Sequence, residues 1–145
     1  MPDQFSVTVT VRSYEIDMVG HVNHAVYHQY GEHARGEHFR KAGFDFEAQR
    51  AGGMAVVLLE SRIRYLSELV LGEEVEISSN IEFGTGKTFR IAHVLRRADG
   101  SPAAEIDCVL GLLDTTARRL MPEPRARFAA LLAHPELLGI DGSGG

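Results

Sequence analysis

A single long helical segment, with one strand before it and four after it, is the feature that most constrains the fold of this chain. Residues 5–11 alternate apolar and polar side chains, which predicts a strand. Asn23 is an acceptable N-cap, and Gly43 is a plausible C-cap. Between them, one predicted helical face recurs at three- and four-residue steps and carries Tyr27, Tyr30, Ala34, His38 and Ala42.

Four strand-like segments of about ten residues each follow this helix: Met54–Tyr65, Glu74–Phe83, Phe89–Leu95 and Ala104–Leu113. The connections between these four segments carry turn residues, at Gly72, 84–86 and 99–102, which favours an antiparallel sheet because antiparallel neighbours can be linked by tight turns. Strands of ten residues span roughly 33 Å, so such a sheet can curl around one helix. We therefore predict an α+β domain in which a curved antiparallel sheet of about five strands wraps the long helix.

The length of 145 residues predicts one domain, which we assign to residues 1–138. Three prolines frame a short closing helix at about Arg125–Ala133. The glycine-rich segment 139–145 is predicted to be a disordered tail.

The net charge argues against nucleic acid as a partner, and the short apolar runs argue against a membrane span. A net charge of -5 argues against nucleic acid as a partner, because binding phosphates requires a basic surface. The longest apolar run, Met54 to Leu59, has six residues, far short of the ~20 that a membrane span needs. No signal-peptide pattern opens the chain, and Cys108 is the single cysteine, so we expect a cytoplasmic protein without a membrane span or an internal disulfide.

The segment Tyr14–Tyr27 concentrates the polar chemistry of the chain directly before the helix. A carboxylate beside a helix start suits acyl chemistry, because the first turn offers free backbone N–H donors. On spacing alone, however, Asp17 is more simply a turn residue near Gly20. Asn23 has two equally supported roles, bonding a substrate water or capping the helix. Glu15 is expected to be a solvated carboxylate on the same strand face as Asp17.

Three histidines suggest a metal site, because His21, His24 and His28 fall at positions i, i+3 and i+7. Their position at an irregular helix start, without a cysteine or a close carboxylate pair, argues against it. We therefore expect no metal. His21 is expected to orient the loop or the substrate carbonyl, and His24 to contribute its backbone alone.

The run Asp17–Tyr27, DMVGHVNHAVY, resembles the signature of the hotdog-fold acyl-CoA thioesterases, above all the 4-hydroxybenzoyl-CoA thioesterase family. It also resembles the fatty acyl-ACP thioesterases of plants. The segment Tyr65–Val75 is similar to the family's strand–loop–strand link, and Gly86-Lys87-Thr88 lies where the family turns into its next strand. The resemblance covers about residues 5–133.

The resemblance implies a hotdog fold that assembles as a homodimer or homotetramer, with sites at the subunit interface and no cofactor. It implies that Asp17 is the catalytic carboxylate and that the backbone N–H of His24 points at the thioester oxygen. The expected activity is hydrolysis of an acyl- or aryl-CoA thioester, with Asp17 as nucleophile or as general base. Alternatives are an acyl-ACP thioesterase, a non-catalytic binder of acyl thioesters and a hotdog dehydratase, whose usual histidine motif is not found.

Four further residues are candidates for substrate binding. Tyr27 either lines the acyl pocket or belongs to the core. Arg35 either pairs with Glu32 on the helix surface or reaches the partner subunit. Lys87 and Thr88 belong to the turn region named above, where basic residues would meet the phosphates of CoA; Arg90, Arg96 and Arg97 on the same hairpin are further candidates, with a solvated strand face as the alternative.

Overall fold

A computed structural model describes residues 4–140 of the chain. The strands are β1 (Phe5–Thr10), β2 (Met54–Tyr65), β3 (Glu74–Phe83), β4 (Thr88–Arg96), β5 (Pro102–Asp114) and β6 (Arg119–Leu120). The α-helices are α1 (His24–Ala42), α2 (Phe46–Ala51) and α3 (Pro124–Leu131). Two 3₁₀ turns cover Ser13–Glu15 and Pro135–Leu138.

The strands form one sheet in the order β1-β3-β4-β5-β2, with β6 paired to β5. β1 runs antiparallel to β3, with Phe5 opposite Ser79 and Thr10 opposite Glu74. The long helix and the four long strands therefore agree with the prediction, to within about two residues at each end. β1 and β2 form the two edges of the sheet.

The described residues fall into two compact units, the first of which contains the chain up to Gly36, Arg62–Asn80 and Ala92–Asp107. In this unit the predicted apolar face of α1 is buried, with Tyr27 and Tyr30 each 3% exposed. Gly31 lets the helix approach its neighbours closely. A Cβ atom there would lie 3.2 Å from both His93 Cδ2 and Ile106 Cδ1.

The second unit contains Glu37–Ser61, Ile81–Ile91 and the chain from Cys108 onward. Its core is a cluster of aromatic rings centred on Phe39 and Phe128, whose ring centroids are 5.4 Å apart. The other members are Phe44, Phe46, Phe83 and Phe89. Since this cluster includes residues of α1, α2, β3, β4 and α3, it joins the elements of this unit.

The structure adds short elements that periodicity did not predict and shifts two predicted boundaries. α2 has six residues and is capped by Asp45, whose Oδ1 accepts a hydrogen bond from the Ala48 N–H at 3.1 Å. The closing helix lies at Pro124–Leu131 instead of Arg125–Ala133. In the predicted tail, Ile140 is 1% exposed, so packing continues past residue 138. The remaining tail residues, 141–145, lie outside the described residues.

No helix within residues 4–140 is long and apolar enough to cross a membrane.

Candidate active site

The segment before α1 folds into a tight loop that carries Asp17. Ile16 and Val22 pair as an isolated antiparallel bridge, and the Asp17 N–H donates to the His21 carbonyl at 2.8 Å. Gly20 closes the turn by donating to the Asp17 carbonyl at 3.1 Å. Its φ of +95° is one that glycine adopts without steric cost, which explains the glycine at this position.

The carboxylate of Asp17 has one oxygen in the turn and one that remains available. Oδ1 accepts hydrogen bonds from the backbone N–H groups of Val19 at 2.9 Å and His21 at 3.4 Å. Oδ2 receives no hydrogen bond from the residues between 4 and 140. The turn role inferred from spacing is therefore real, and it still leaves one carboxylate oxygen for chemistry.

The start of α1 is capped by Asn23. Its Oδ1 accepts the Ala25 N–H at 2.9 Å, and its carbonyl accepts the Val26 N–H at 2.9 Å. The N–H of His24, the first helical residue, has no acceptor within the described part of the chain. Of the two roles considered for Asn23, the structure thus displays capping. The donor left without an acceptor is the His24 N–H, the group that the resemblance assigns to the thioester oxygen.

Asp17 and the helix start line one cavity of about 660 Å³, which belongs to the first unit. From the loop and α1 the lining includes Asp17, His21, Val22, His24 and Tyr27. The end of β2, the segment that follows it and the residue after β4 supply Tyr65, Leu66, Ser67, Glu68, Val70 and Arg97. Asp17, His21, His24 and Tyr27, together with Arg97 of the further basic candidates, therefore meet at this cavity, and Asn23 adjoins them in sequence.

Two contacts hold the segment after β2 against the loop and the helix start. His21 Nε2 lies 2.9 Å from Glu68 Oε2, and the Tyr65 hydroxyl donates to the His24 carbonyl at 3.2 Å. The rings of Tyr27 and Tyr65 meet edge to face with centroids 5.0 Å apart. Tyr65 and Glu68 were not among the predicted site residues, because nothing local in the sequence connects them with Asp17.

Tyr27 fulfils both of the roles considered for it, since it is buried in the core and also lines the cavity. Burial raises the pKa of the Tyr27 phenol, so Tyr27 lines the cavity with its hydroxyl protonated and neutral.

The basic candidates are distributed between the two units. Arg97 lines the cavity, and its Nε donates to Glu73 Oε2 at 2.8 Å. Lys87 and Thr88 are exposed and lie in the second unit, at the turn before β4 and at its first residue. Arg35 is 9% exposed and is thus buried instead of lying on the helix surface; its NH1 lies 3.5 Å from His93 Nε2.

The prediction of a solvated Glu15 is wrong. The side chain is 5% exposed, and its carboxylate accepts hydrogen bonds from the Tyr30 hydroxyl at 2.7 Å and the Arg12 N–H at 2.8 Å. Because residues 13–15 form a 3₁₀ turn instead of a strand, the two-residue alternation on which the prediction depended does not apply.

The histidines at the helix start do not form a metal cluster. Between residues 4 and 140, no group of three or more His, Cys, Asp or Glu side chains is arranged to hold a metal ion. His21 instead contacts Glu68, and His24 is exposed on the first turn of α1.

Comparison with known proteins places this chain in a family. Residues 11–133 match the family described as the Thioesterase-like superfamily. The chain belongs to this superfamily. The acyl-acyl carrier protein thioesterase ATL3 of Arabidopsis thaliana is 27% identical over 135 residues, which are 91% of this chain and 71% of that protein. This chain is thus related to a protein that is named as a thioesterase.

Solved structures establish the fold of this Thioesterase-like protein. The 1,4-dihydroxy-2-naphthoyl-CoA thioesterase of Synechocystis superposes with a TM-score of 0.80 at 15% identity, covering 89% of this chain and 96% of that one. The Staphylococcus aureus protein SAV2348, solved in complex with CoA, superposes with a TM-score of 0.81 at 21% identity, covering 97% of this chain and 87% of that one. These likenesses confirm the predicted α+β hotdog fold.

Proposed function

We propose that this protein hydrolyses acyl- or aryl-CoA thioesters and belongs, within its superfamily, to the 4-hydroxybenzoyl-CoA thioesterase family. The observation that carries the proposal is the pairing of two unused groups at one cavity. Asp17 has a carboxylate oxygen without a hydrogen-bond donor, and His24 has a backbone N–H without an acceptor, among residues 4–140. A base or nucleophile next to an oxyanion donor is the minimum that acyl transfer requires.

Two routes use these groups. In the first, Asp17 attacks the thioester carbonyl, the C–S bond breaks, and the resulting mixed anhydride is hydrolysed by water to the acid and the free carboxylate. In the second, Asp17 takes a proton from a water molecule that attacks the carbonyl directly. In both, the His24 N–H stabilises the developing oxyanion, and CoA leaves as a thiolate that needs no strong acid.

Arg97 is the proposed cation for the phosphate-bearing end of the substrate, because it lines the cavity and is held by Glu73. Lys87 and Thr88 stay proposed substrate contacts. An acyl-carrier protein is the alternative thioester donor, as the name of the Arabidopsis thaliana relative indicates for that protein. A cytoplasmic location stays a prediction.

We propose that two copies of the chain, or two such pairs, assemble around the site. Support comes from the edge strand β2, where Leu58 and Leu59 are 46% and 45% exposed. Leu66 and Val70, which line the cavity, and Leu71, which follows them, are also exposed. Exposed apolar side chains on an unpaired strand edge are suited to pairing with another chain.

Replacing Asp17 by Asn tests the proposed chemistry, because the amide oxygen can still accept the two turn hydrogen bonds while the nucleophile or base is lost. We expect turnover to fall about 10²–10⁴-fold, the range that a general base contributes. The measurement is thiol release from a panel of acyl-CoA, aryl-CoA and acyl-ACP substrates.

The matched control is Asp99→Asn. Asp99 occupies a similar turn, with Oδ1 accepting the Ser101 N–H at 2.9 Å, and it does not line the cavity. Its variant should retain wild-type turnover. Wild-type binding of acyl-CoA without any thiol release would identify a non-catalytic binder, and equal rates for wild type and Asp17→Asn would exclude Asp17 as the catalytic group.

A further inference from the structure

Glu15 is a buried carboxylate that the proposed reaction does not use. It is 5% exposed and lies two residues before Asp17. One oxygen accepts both the Tyr30 hydroxyl at 2.7 Å and the Arg12 N–H at 2.8 Å, while the other accepts the Arg12 guanidinium at 3.2 Å. Burying a carboxylate is costly unless it is fully bonded, so these three donors explain how the fold accommodates it.

These bonds join two parts of the first unit that bracket the Asp17 loop. Arg12 lies just after β1, at the entrance to the loop, and Tyr30 lies on α1, two turns after the helix start. Burial, together with the hydrogen bond to Glu15, raises the pKa of Tyr30 far above its ordinary value, so Tyr30 remains a donor.

The backbone of Glu15 makes a second connection. Its carbonyl accepts the N–H of Asn23 at 2.8 Å. Glu15 directly precedes the loop 16–22, and Asn23 directly follows it, so this bond closes the loop at its base. Asn23 also caps α1 and directly precedes His24. Through this bond Glu15 therefore connects the base of the Asp17 loop to the helix start that carries the His24 N–H.

We propose that Glu15 is a positioning residue, which acts through Tyr30 and Asn23 to hold the Asp17 carboxylate at a fixed distance from the His24 N–H. The inference rests on the proposed function, because it assigns those two groups to one reaction. Neither Glu15 nor Tyr30 lines the cavity. The network should therefore affect the geometry of the reacting groups without affecting substrate binding.

The sharpest variant is Tyr30→Phe, which keeps the ring and removes the hydroxyl that ties Glu15 to α1. We expect kcat to fall about 10- to 100-fold with KM within about twofold of wild type, because a displacement of ~1 Å in a reacting group can cost on the order of 10² in rate. Glu15→Gln retains an acceptor oxygen for Tyr30 and should lose less activity than Glu15→Ala.

Two controls separate positioning from loss of stability. Tyr14→Phe removes a phenol hydroxyl from the same segment, one that accepts from Arg12 at 3.3 Å and is not bonded to Glu15. Ile77→Val removes one methyl group from a fully buried side chain of β3. Both should keep kcat within about twofold of wild type. A kcat within twofold of wild type in folded Tyr30→Phe and Glu15→Ala would overturn the proposal.

A second measurement distinguishes failure of this inference from failure of the proposed function. Amide hydrogen exchange over residues 17–24 should be about tenfold faster in Tyr30→Phe than in Tyr14→Phe, whether or not any thioester is cleaved. If the wild type cleaves no substrate but exchange accelerates, the function is wrong and the positioning role of Glu15 stands. If exchange is unchanged in both Tyr30→Phe and Glu15→Ala, the positioning role is wrong.

Discussion

At the scale of single residues, side chains in this protein often have two functions. Asp17 closes a turn with one carboxylate oxygen and leaves the other available, and Tyr27 packs in the core while lining the cavity. Asn23 caps α1 and, through its own N–H, closes the base of the loop. Replacement of such residues by alanine would remove both functions at once, so conservative changes are the informative ones.

Gly31 illustrates a constraint of the same scale that arises from packing. His93, which a new Cβ would contact, is 1% exposed and cannot easily move, because its Nδ1–H donates to the Ser78 carbonyl at 2.9 Å. We expect Gly31→Val to lower the free energy of unfolding by about 1–3 kcal/mol through overpacking, in spite of a small gain in helix propensity.

Urea denaturation measures this change. The control is Gly86→Ala, because a Cβ at Gly86 would meet no atom within 4 Å. That variant should stay within about 0.5 kcal/mol of wild type. Wild-type stability in Gly31→Val would show that the side chains around Gly31 can make room for a larger residue without loss of packing.

At the scale of elements, α1 is tied in the second unit to the last described turn of the chain. The Nε2–H of His38 donates to the carbonyl of Leu137 at 2.6 Å, and the histidine is 3% exposed. Burial lowers the pKa of His38 below its ordinary value of 6.5. Protonation of His38 would place a positive charge at this buried position, and the hydrogen bond to Leu137 offsets that cost only in part.

The sign of the resulting pH dependence follows from linkage. The unfolded chain binds a proton at His38 more readily than the folded protein does, so stability rises with pH between the folded and the unfolded pKa. The stabilising contribution is complete above about pH 6.5 and is lost as the pH falls through the lowered pKa of the folded state. We expect the folded protein to lose stability on acidification in this window.

The comparison variant is His38→Gln, which does not titrate and can still donate to a carbonyl. Unfolding free energies between about pH 5 and pH 8 should fall less steeply on acidification in this variant than in wild type. Parallel pH profiles for the two proteins would assign the acid sensitivity to other groups.

At the scale of the whole molecule, the edge strand β2 is expected to determine assembly. If a second copy pairs along this edge, charges at Leu58 and Leu59 should prevent it, because a glutamate there would have to be buried without a partner. We expect the wild type to have at least twice the 15.9 kDa mass of one chain, and Leu58→Glu/Leu59→Glu to have the mass of one chain.

Sedimentation equilibrium tests this expectation, with circular dichroism as the control for folding. A wild type that is monomeric at micromolar concentration would exclude the proposed assembly. Loss of thioesterase activity together with loss of assembly would place part of the site on the second copy. Retained activity in a monomeric variant would place the whole site in one chain.

Periodicity in the sequence was sufficient to predict the regular elements. α1, β3 and β4 could be read from apolar spacing, because each buries one face along most of its length. β2 and β5 could be read from their apolar runs instead: β5 has buried residues on both faces, and β2 is a partly exposed edge strand. α2 and β6, with six and two residues, are too short for a period to be visible. The Asp45 cap was the one local signal that could have indicated α2.

The sequence by itself determined which chemistry is available, since the run Asp17–Tyr27 contains the carboxylate, the helix cap Asn23 and the first helical residue His24 in a fixed order. Only the tertiary structure decided which distant groups meet there. Tyr65, Glu68 and Arg97 reach the same cavity through sheet order, and Glu15 is buried because a 3₁₀ turn and Tyr30 accommodate it. Burial and convergence depend on contacts between segments far apart in the chain, and local spacing contains no information about them.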